Sequence, residues 1–338
     1  MSVSTRNATL RRLLDANAAF SLDAVGTTNH LPMALVALAG LGASAQRLEA
    51  YFAMWSQRYA RALPAVELAL NRNNWQGQIG NRAAFGALQA LFTEWVAHEG
   101  APKVIAHVLG HIPAAPASGA FHAFIRLGYA LEARHEGEVG AALAAFVAGN
   151  LAIALDVSER VPAASVETAM ARLSEAQAGR SYVGEAITSR LRAVAADPTF
   201  DAALQAPPDT PDLLDALSHA AIALYWQTGN FTVLHMVTGL AAGRAVLALL
   251  PDALAARYRA ALWVAFCAAY ASVGAPALRS LPVPDAIATW PELFAAARED
   301  DDDHVIKMTY TCYRESLRDP NPLYRAAAAR LVGQALAA

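Results

Sequence analysis

His304 and Lys307 stand three residues apart in Asp303-His304-Val305-Ile306-Lys307, a spacing that sets imidazole and amine on one face of a helix. Lysine occurs only at Lys103 and Lys307, although Lys and Arg together number 26. A lysine kept in so arginine-rich a chain points to chemistry that guanidinium cannot do. A buried amine can lose its proton and then act as a nucleophile or become part of a metal ligand. The same residues also fit an ordinary helix start. Asp300 to Asp303 is acidic where a helix dipole favours carboxylates. Asp303 and Lys307 have the i,i+4 order of a surface ion pair worth about 0.2–0.5 kcal/mol. Val305, Ile306 and Met308 speak against a solvated turn. On these residues alone the ion pair is slightly the stronger reading.

Three further histidines sit at or inside apolar helices. His30 follows Thr27-Thr28-Asn29 and precedes Leu31-Pro32; His122 lies between Phe121 and Phe124; His235 lies between Leu234 and Met236. Taken singly, each is more often a capping or core residue bonded to a carbonyl than a ligand. Neutral imidazole is nonetheless the commonest metal ligand, and helical proteins build such sites from facing helices. A faint internal likeness selects the same four. His30 and His235 each open an Ala/Leu helix, while His122 with Arg126 and His304 with Lys307 each set a basic residue one turn on. A duplication would place the four rings about a pseudo-two-fold axis.

Other patterns carry less. His107 and His111 have i,i+4 spacing, but Gly110 and Pro113 end their helix. Glu132-Ala133-Arg134-His135 is a lone ExxH, whereas di-iron bundles use two. His98, His135 and His219 stand alone. Gly40-Leu41-Gly42 follows a helix rather than a strand, and no Walker loop, nucleophile elbow or HExxH is present.

These residues must be held by helices. Hydrophobic residues make up 56% and charged residues 16% of the 338, so a large core is expected. Helical periodicity dominates and strand signals are almost absent. Helices are expected at about 31–40, 44–62, 82–98, 121–135, 139–155, 164–175, 181–196, 212–226, 234–249, 253–273, 302–317 and 322–336. Ile112 to Ala120 and Gln205 to Pro211 read as loops, the second rich in proline. The fold class is therefore all-α, either one large multi-helix domain over 1–338 or two pseudo-symmetric halves, 1–204 and 205–338, around a central metal site.

With a net charge of −3, a pI of about 6.3 and scattered arginines, neither nucleic acid nor an anionic membrane is expected as a partner. Cys267 and Cys312 lie far apart in apolar stretches, which fits free thiols and a reducing, cytoplasmic setting. No signal peptide is evident in Met1 to Phe20, and Ala260 to Val273 is too short to span a bilayer.

Four blocks, in order, resemble segments of the questin oxidase-like family. They are Asn29-His30-Leu31-Pro32-Met33, Phe121 to Ala130, Leu234 to Gly239 and Asp301 to Lys307, and the resemblance runs from about Phe20 to the C-terminus. The family includes fungal oxygenases that open anthraquinone rings, described as Baeyer–Villiger-type oxidases and as non-haem iron dioxygenases. The resemblance implies Fe(II) held by His30, His122, His235, His304 and N-carboxylated Lys307. It also implies O2 and an aromatic, polyketide-like small molecule as substrates. Thr238, one turn beyond His235, is a candidate to hydrogen-bond the carbamate, and Arg126 and Tyr129 are candidates to bind a phenolate or carboxylate. Arg126 could equally pair with a carboxylate from another helix, and Tyr129 could belong to the core. The NADPH or flavin that such oxidations invoke has no binding motif here. Two readings from other classes stay open: a metal-dependent hydrolase of an ester or lactone, and a non-enzymatic helical binding module.

Overall fold

The computed structural model describes residues 3–65, 68–284 and 286–333. Within them the chain folds into sixteen α-helices. The first eight are α1 (Val3–Asn17), α2 (Leu31–Gly40), α3 (Ala45–Tyr59), α4 (Phe85–Glu99), α5 (Ala101–Gly110), α6 (His122–Ala133), α7 (Glu136–Ala148) and α8 (Val166–Ala176). The remainder are α9 (Ile187–Ala195), α10 (Pro198–Ala203), α11 (Leu213–Thr228), α12 (Phe231–Leu247), α13 (Asp252–Ser272), α14 (Trp290–Glu299), α15 (Asp303–Ser316) and α16 (Pro322–Leu331). One hairpin, β1 (Asp23–Ala24) and β2 (Thr27–Thr28), is antiparallel and turns through Gly26 at φ 72°.

Four helices form the centre because they are apolar on nearly every side. All residues of α2 but its last are buried, and α12 buries thirteen of its seventeen. Their partners α6 and α15 bury a run of residues through their middle turns. These four run in the same direction. His30 meets His304 at one end of the α2–α15 pair, and Gly40 lies against Tyr310 at the other. Likewise His235 meets His304 near the start of α12 and α15, while Arg244 reaches Glu315 near their ends. Phe121 rests on Gly239 and Gly128 on Ala242, which brings α6 and α12 close; a Cβ on Gly128 would come within 2.8 Å of that of Ala242. The consequence is that all four N-termini gather at one end.

The remaining helices cover this bundle. α7 packs on α4, α13 on α9 and α12, and α16 on α11 and α15. The core is continuous, with residues on both sides of the 205–211 loop contributing. Cys267 and Cys312 are buried free thiols, and among the described residues no helix is long and apolar enough to cross a membrane.

Most expected helices are present, with differences at their ends. The expected 139–155 is α7, which begins at Glu136 under the His135 cap and stops at Ala148, before Gly149. The expected 181–196 shortens to Ile187–Ala195. Of the expected 322–336, α16 ends at Leu331, and 334–336 lie outside the described residues. Four helices went unread. The segment of α5 was taken as a helix ending, yet Pro102 sits in the first turn, where a missing N–H costs nothing. α14 carries a capping box between Thr289 and Glu292, a local signal that could have found it. α1 and the six-residue α10 are the other two.

Candidate metal centre

Each of the four histidines stands at a helix start, and each start is built differently. His30 is the N-cap of α2 and follows the hairpin, whose Thr27 hydroxyl lies 3.3 Å from His30 Nε2. The backbone beneath it is fixed by Asn29, whose side chain accepts from Leu31 N–H and donates to Asn17. His122 is the first residue of α6. The chain reaches it through Gly119, Ala120 and Phe121, all three at positive φ of 58–69°. Left-handed backbone at Ala120 and Phe121 costs about 1–3 kcal/mol each. The turn it makes brings the Gly119 carbonyl to His122 Nδ1. His235 lies one turn into α12, capped by Asn230, and its Nδ1 sits 2.8 Å from the Phe231 carbonyl. His304 is the second residue of α15, where the Asp302 carboxylate caps its N–H at 2.8 Å and lies 3.2 Å from its Nδ1.

The rings converge. His30 stacks on His122 with centroids 4.3 Å apart and meets His304 edge-on at 4.9 Å; His235 lies 4.7 Å from His122 and 5.3 Å from His304. Ligand atoms of His30, His122 and His304 all lie within 4.8 Å of one another. The half-exposed Phe231 ring closes one side, 4.6 Å from both His235 and His304.

A common pattern of nitrogens runs through the cluster. All four Nδ1 atoms face protein oxygens: Asp303 for His30, Gly119 for His122, Phe231 for His235, and Asp302 with Asp303 for His304. A carbonyl can only accept, so His122 and His235 carry their proton on Nδ1 and present a bare lone pair on Nε2. Those two Nε2 atoms face each other at 3.2 Å. His304 Nε2 is buried and has no partner. Burial, reinforced by neighbouring rings and Lys307, holds His122 and His235 well below the ordinary imidazole range and His30 down to about 4. A proton shared between the facing lone pairs is thereby disfavoured, and a cation between them satisfies both. Two imidazole nitrogens on one metal at about 2.1 Å and right angles stand about 3 Å apart, close to the observed gap. The residues present fit a metal ion.

Lys307 and Asp303 complete the site. Lys307 Nζ lies 2.9 Å from Asp303 Oδ1, with the lysine side chain 3% exposed and the aspartate 13%. The i,i+4 ion pair expected for a solvated helix face is therefore present but buried against the histidines. Burial alone would raise the Asp303 carboxyl; Lys307 and His30 outweigh it and hold the group well below the carboxylate range.

The three other candidates make their hydrogen bonds to groups other than the rings, although Arg126 lines a small cavity together with His122. Arg126 is buried and donates to Glu138 through Nε at 2.9 Å and Nη2 at 2.8 Å, the alternative pairing considered for it. Glu138 also accepts from Asn17, so Arg126, Glu138, Asn17 and Asn29 form a buried network between the backbones of His122 and His30. The Tyr129 hydroxyl donates to the Lys307 carbonyl at 3.3 Å. Thr238 bonds the Leu234 carbonyl of its own helix at 3.1 Å rather than Lys307. Tyr129 and Thr238 line a cavity of about 450 Å³ between α6, α12 and α15. The remaining histidines are elsewhere: His107 stacks on His111, His98 pairs with Glu94, His135 with Asp15, and His219 with Asp319.

The profile of the questin oxidase-like family matches residues 27–228 and 214–312, a span that contains all four histidines and Lys307. The chain belongs to the questin oxidase-like family. Membership implies an oxidoreductase of the oxygenase type. No curated protein matches the chain.

Sequence reasoning missed two parts of the centre. Asp303 was read as a surface partner of Lys307, although a carboxylate beside His304 and four residues before a rare lysine was a usable signal. Phe231, which supplies both a carbonyl and a ring to His235, left no such signal.

Proposed function

We propose that the chain is a mononuclear non-haem iron oxygenase of the questin oxidase type. It acts with O2 on a polycyclic aromatic ketone or quinone-like small molecule, by oxidative C–C cleavage or Baeyer–Villiger-type oxygen insertion. The observation that carries this reading is the pair of bare lone pairs on His122 and His235, held 3.2 Å apart by committed Nδ1 atoms.

His30, His122, His235 and His304 would hold the iron through Nε2, and Lys307, N-carboxylated, would add an anionic oxygen. When bound, Fe(II) supplies a redox-active centre at which O2 and an oxygen of the substrate can be activated. The chain's own residues prepare that centre. Burial keeps His30, His122 and His235 unprotonated, as ligands must be. Four helix N-termini direct partial positive charge at the site, which favours anionic donors there. With Lys307 as an ammonium, a divalent cation beside Asp303 leaves two positive charges in a dry pocket. With Lys307 carboxylated, the same set is neutral. The neutral amine adds CO2 and releases a proton, and Arg at this position could do neither.

The test is anaerobic loading with Fe(II), metal analysis, and O2 uptake with a hydroxyanthraquinone, with and without NADPH. One iron per chain and substrate-dependent O2 consumption are expected. Ester or lactone hydrolysis without O2 uptake would reassign the centre to a hydrolase.

A further inference from the structure

Asp303 Oδ1 lies 2.7 Å from His30 Nδ1, 2.9 Å from Lys307 Nζ and 3.2 Å from His304 Nδ1. One oxygen on the first residue of α15 thus touches three of the five side chains at the centre, two of them in its own helix and one on α2.

The direction of these contacts matters. Both imidazoles approach Asp303 with Nδ1, which leaves both Nε2 atoms outside that contact, that of His30 lying 3.3 Å from the Thr27 hydroxyl. His304 Nε2 is buried and unpartnered. His122 and His235 reach the same orientation through backbone carbonyls, which cannot change tautomer preference because they only accept. For His30 no backbone acceptor stands at Nδ1, and the Thr27 hydroxyl at Nε2 can either donate or accept, so Asp303 is the ring partner that can only accept. His304 shares its Nδ1 between Asp303 and the more exposed Asp302.

We infer that Asp303 is a positioning residue that fixes the Nδ1–H form and ring orientation of His30 and His304 and tethers Lys307, so that one carboxylate assembles three donors from two helices. Its Oδ1 is engaged by the two Nδ1 atoms and the Lys307 amine. Carboxylates in this relation to ligating histidines typically contribute 10–100-fold to metal affinity. The inference deepens the four-histidine reading above and rests on it for its metal-binding consequence, but the orientation of the rings is open to measurement without any metal.

Two measurements test it on the full-length chain. In the first, the metal-free protein carrying 15N-labelled histidine is compared by long-range 1H–15N NMR with Asp303→Asn and Asp303→Glu. The wild type should show His30 and His304 as Nδ1–H tautomers. Asp303→Asn, whose amide can also donate to a ring nitrogen, should shift His30 toward the Nε2–H form, and Asp303→Glu should largely restore the wild-type pattern. An unchanged His30 tautomer in folded Asp303→Asn would overturn the inference. In the second, Co(II) is titrated anaerobically against a competing chelator and its visible spectrum recorded. Asp303→Asn should bind 10–100-fold more weakly with an altered spectrum, while Asp301→Asn, an exposed neighbour paired with Arg47, should match the wild type. Wild-type affinity and spectrum in Asp303→Asn would also overturn it. If wild-type protein takes up no Co(II) while the tautomers shift as expected, the positioning role stands and the metal reading falls.

Discussion

His122 Nε2 and His235 Nε2 face each other across 3.2 Å although each ring has committed its Nδ1–H to a backbone carbonyl on its own side of the cluster. Two neutral imidazoles so placed repel, and the fold holds them together through strained backbone before α6 and close packing of Phe121 on Gly239. A cation relieves that repulsion, so metal should stabilise the fold. Fe(II) or Co(II) at a hundred times its Kd should add about 2.7 kcal/mol to unfolding, and a chelator should remove it. His122→Ala and His235→Ala should each lose most of this increment. A melting temperature indifferent to metal and chelator would count against the site.

Metal-free protein should weaken in mild acid. The folded state holds His30 at about 4 against an unfolded value near 6.5, and holds His122 and His235 well below 6.5. A depressed value means that the unfolded chain binds protons first as pH falls. Stability is therefore full above pH 6.5 and lost as pH drops through the interval down to about 4, by roughly 3 kcal/mol for His30 alone. Urea titrations between pH 7 and 4 should show this slope, and His30→Gln should flatten it.

Lys307 should be chemically modified in the loaded protein. Supplying 13C-bicarbonate should give a carbamate carbon resonance in the wild type that is absent from both Lys307→Ala and Lys307→Arg. Lys307→Ala should lose metal, and added propionate should restore part of it. A wild-type spectrum without that resonance, at full iron occupancy, would remove the carbamate.

Arg126 should matter for folding before function. It is 3% exposed and its partner Glu138 is equally buried, so removing one charge strands the other. Arg126→Ala should cost about 3–5 kcal/mol by denaturant unfolding. In whatever folded protein remains, Co(II) binding should stay near the wild-type value; a large loss of affinity at unchanged stability would return Arg126 to the site.

Phe231 should control access to the rings. It is 52% exposed yet touches His235 and His304. Phe231→Ala should accelerate stripping of bound metal by a bulky planar chelator such as phenanthroline several-fold more than it accelerates stripping by a small one. Equal acceleration would argue for general loosening instead.

The helical fold was legible because apolar periodicity is a local property, as the expected 44–62 illustrates: α3 lies within it and buries Leu48, Tyr51 and Trp55 on one face. The four histidines could be singled out because His30 and His235 each open an Ala/Leu helix, His122 and His304 each set a basic residue one turn on, and all four lie in the blocks that resemble the family. Burial could not be read that way. Asp303 and Lys307 have the spacing of a solvent-exposed pair, and only the packing of α2 on α15, 273 residues apart in the contact of His30 with Asp303, makes them interior. The partner of Arg126 could be anticipated only as some carboxylate. Its further links to Asn17 and Asn29 span up to 121 residues and leave no periodic trace.

Because the proposed donors come from four separate helix starts, the loop at 205–211 divides them between two stretches of chain: His30 and His122 before it, His235, His304 and Lys307 after it. A protein cleaved at that loop would carry an incomplete set of imidazoles on each fragment. Tight cation uptake would then report noncovalent reunion of the two pieces, turning the centre into a split sensor of its own assembly.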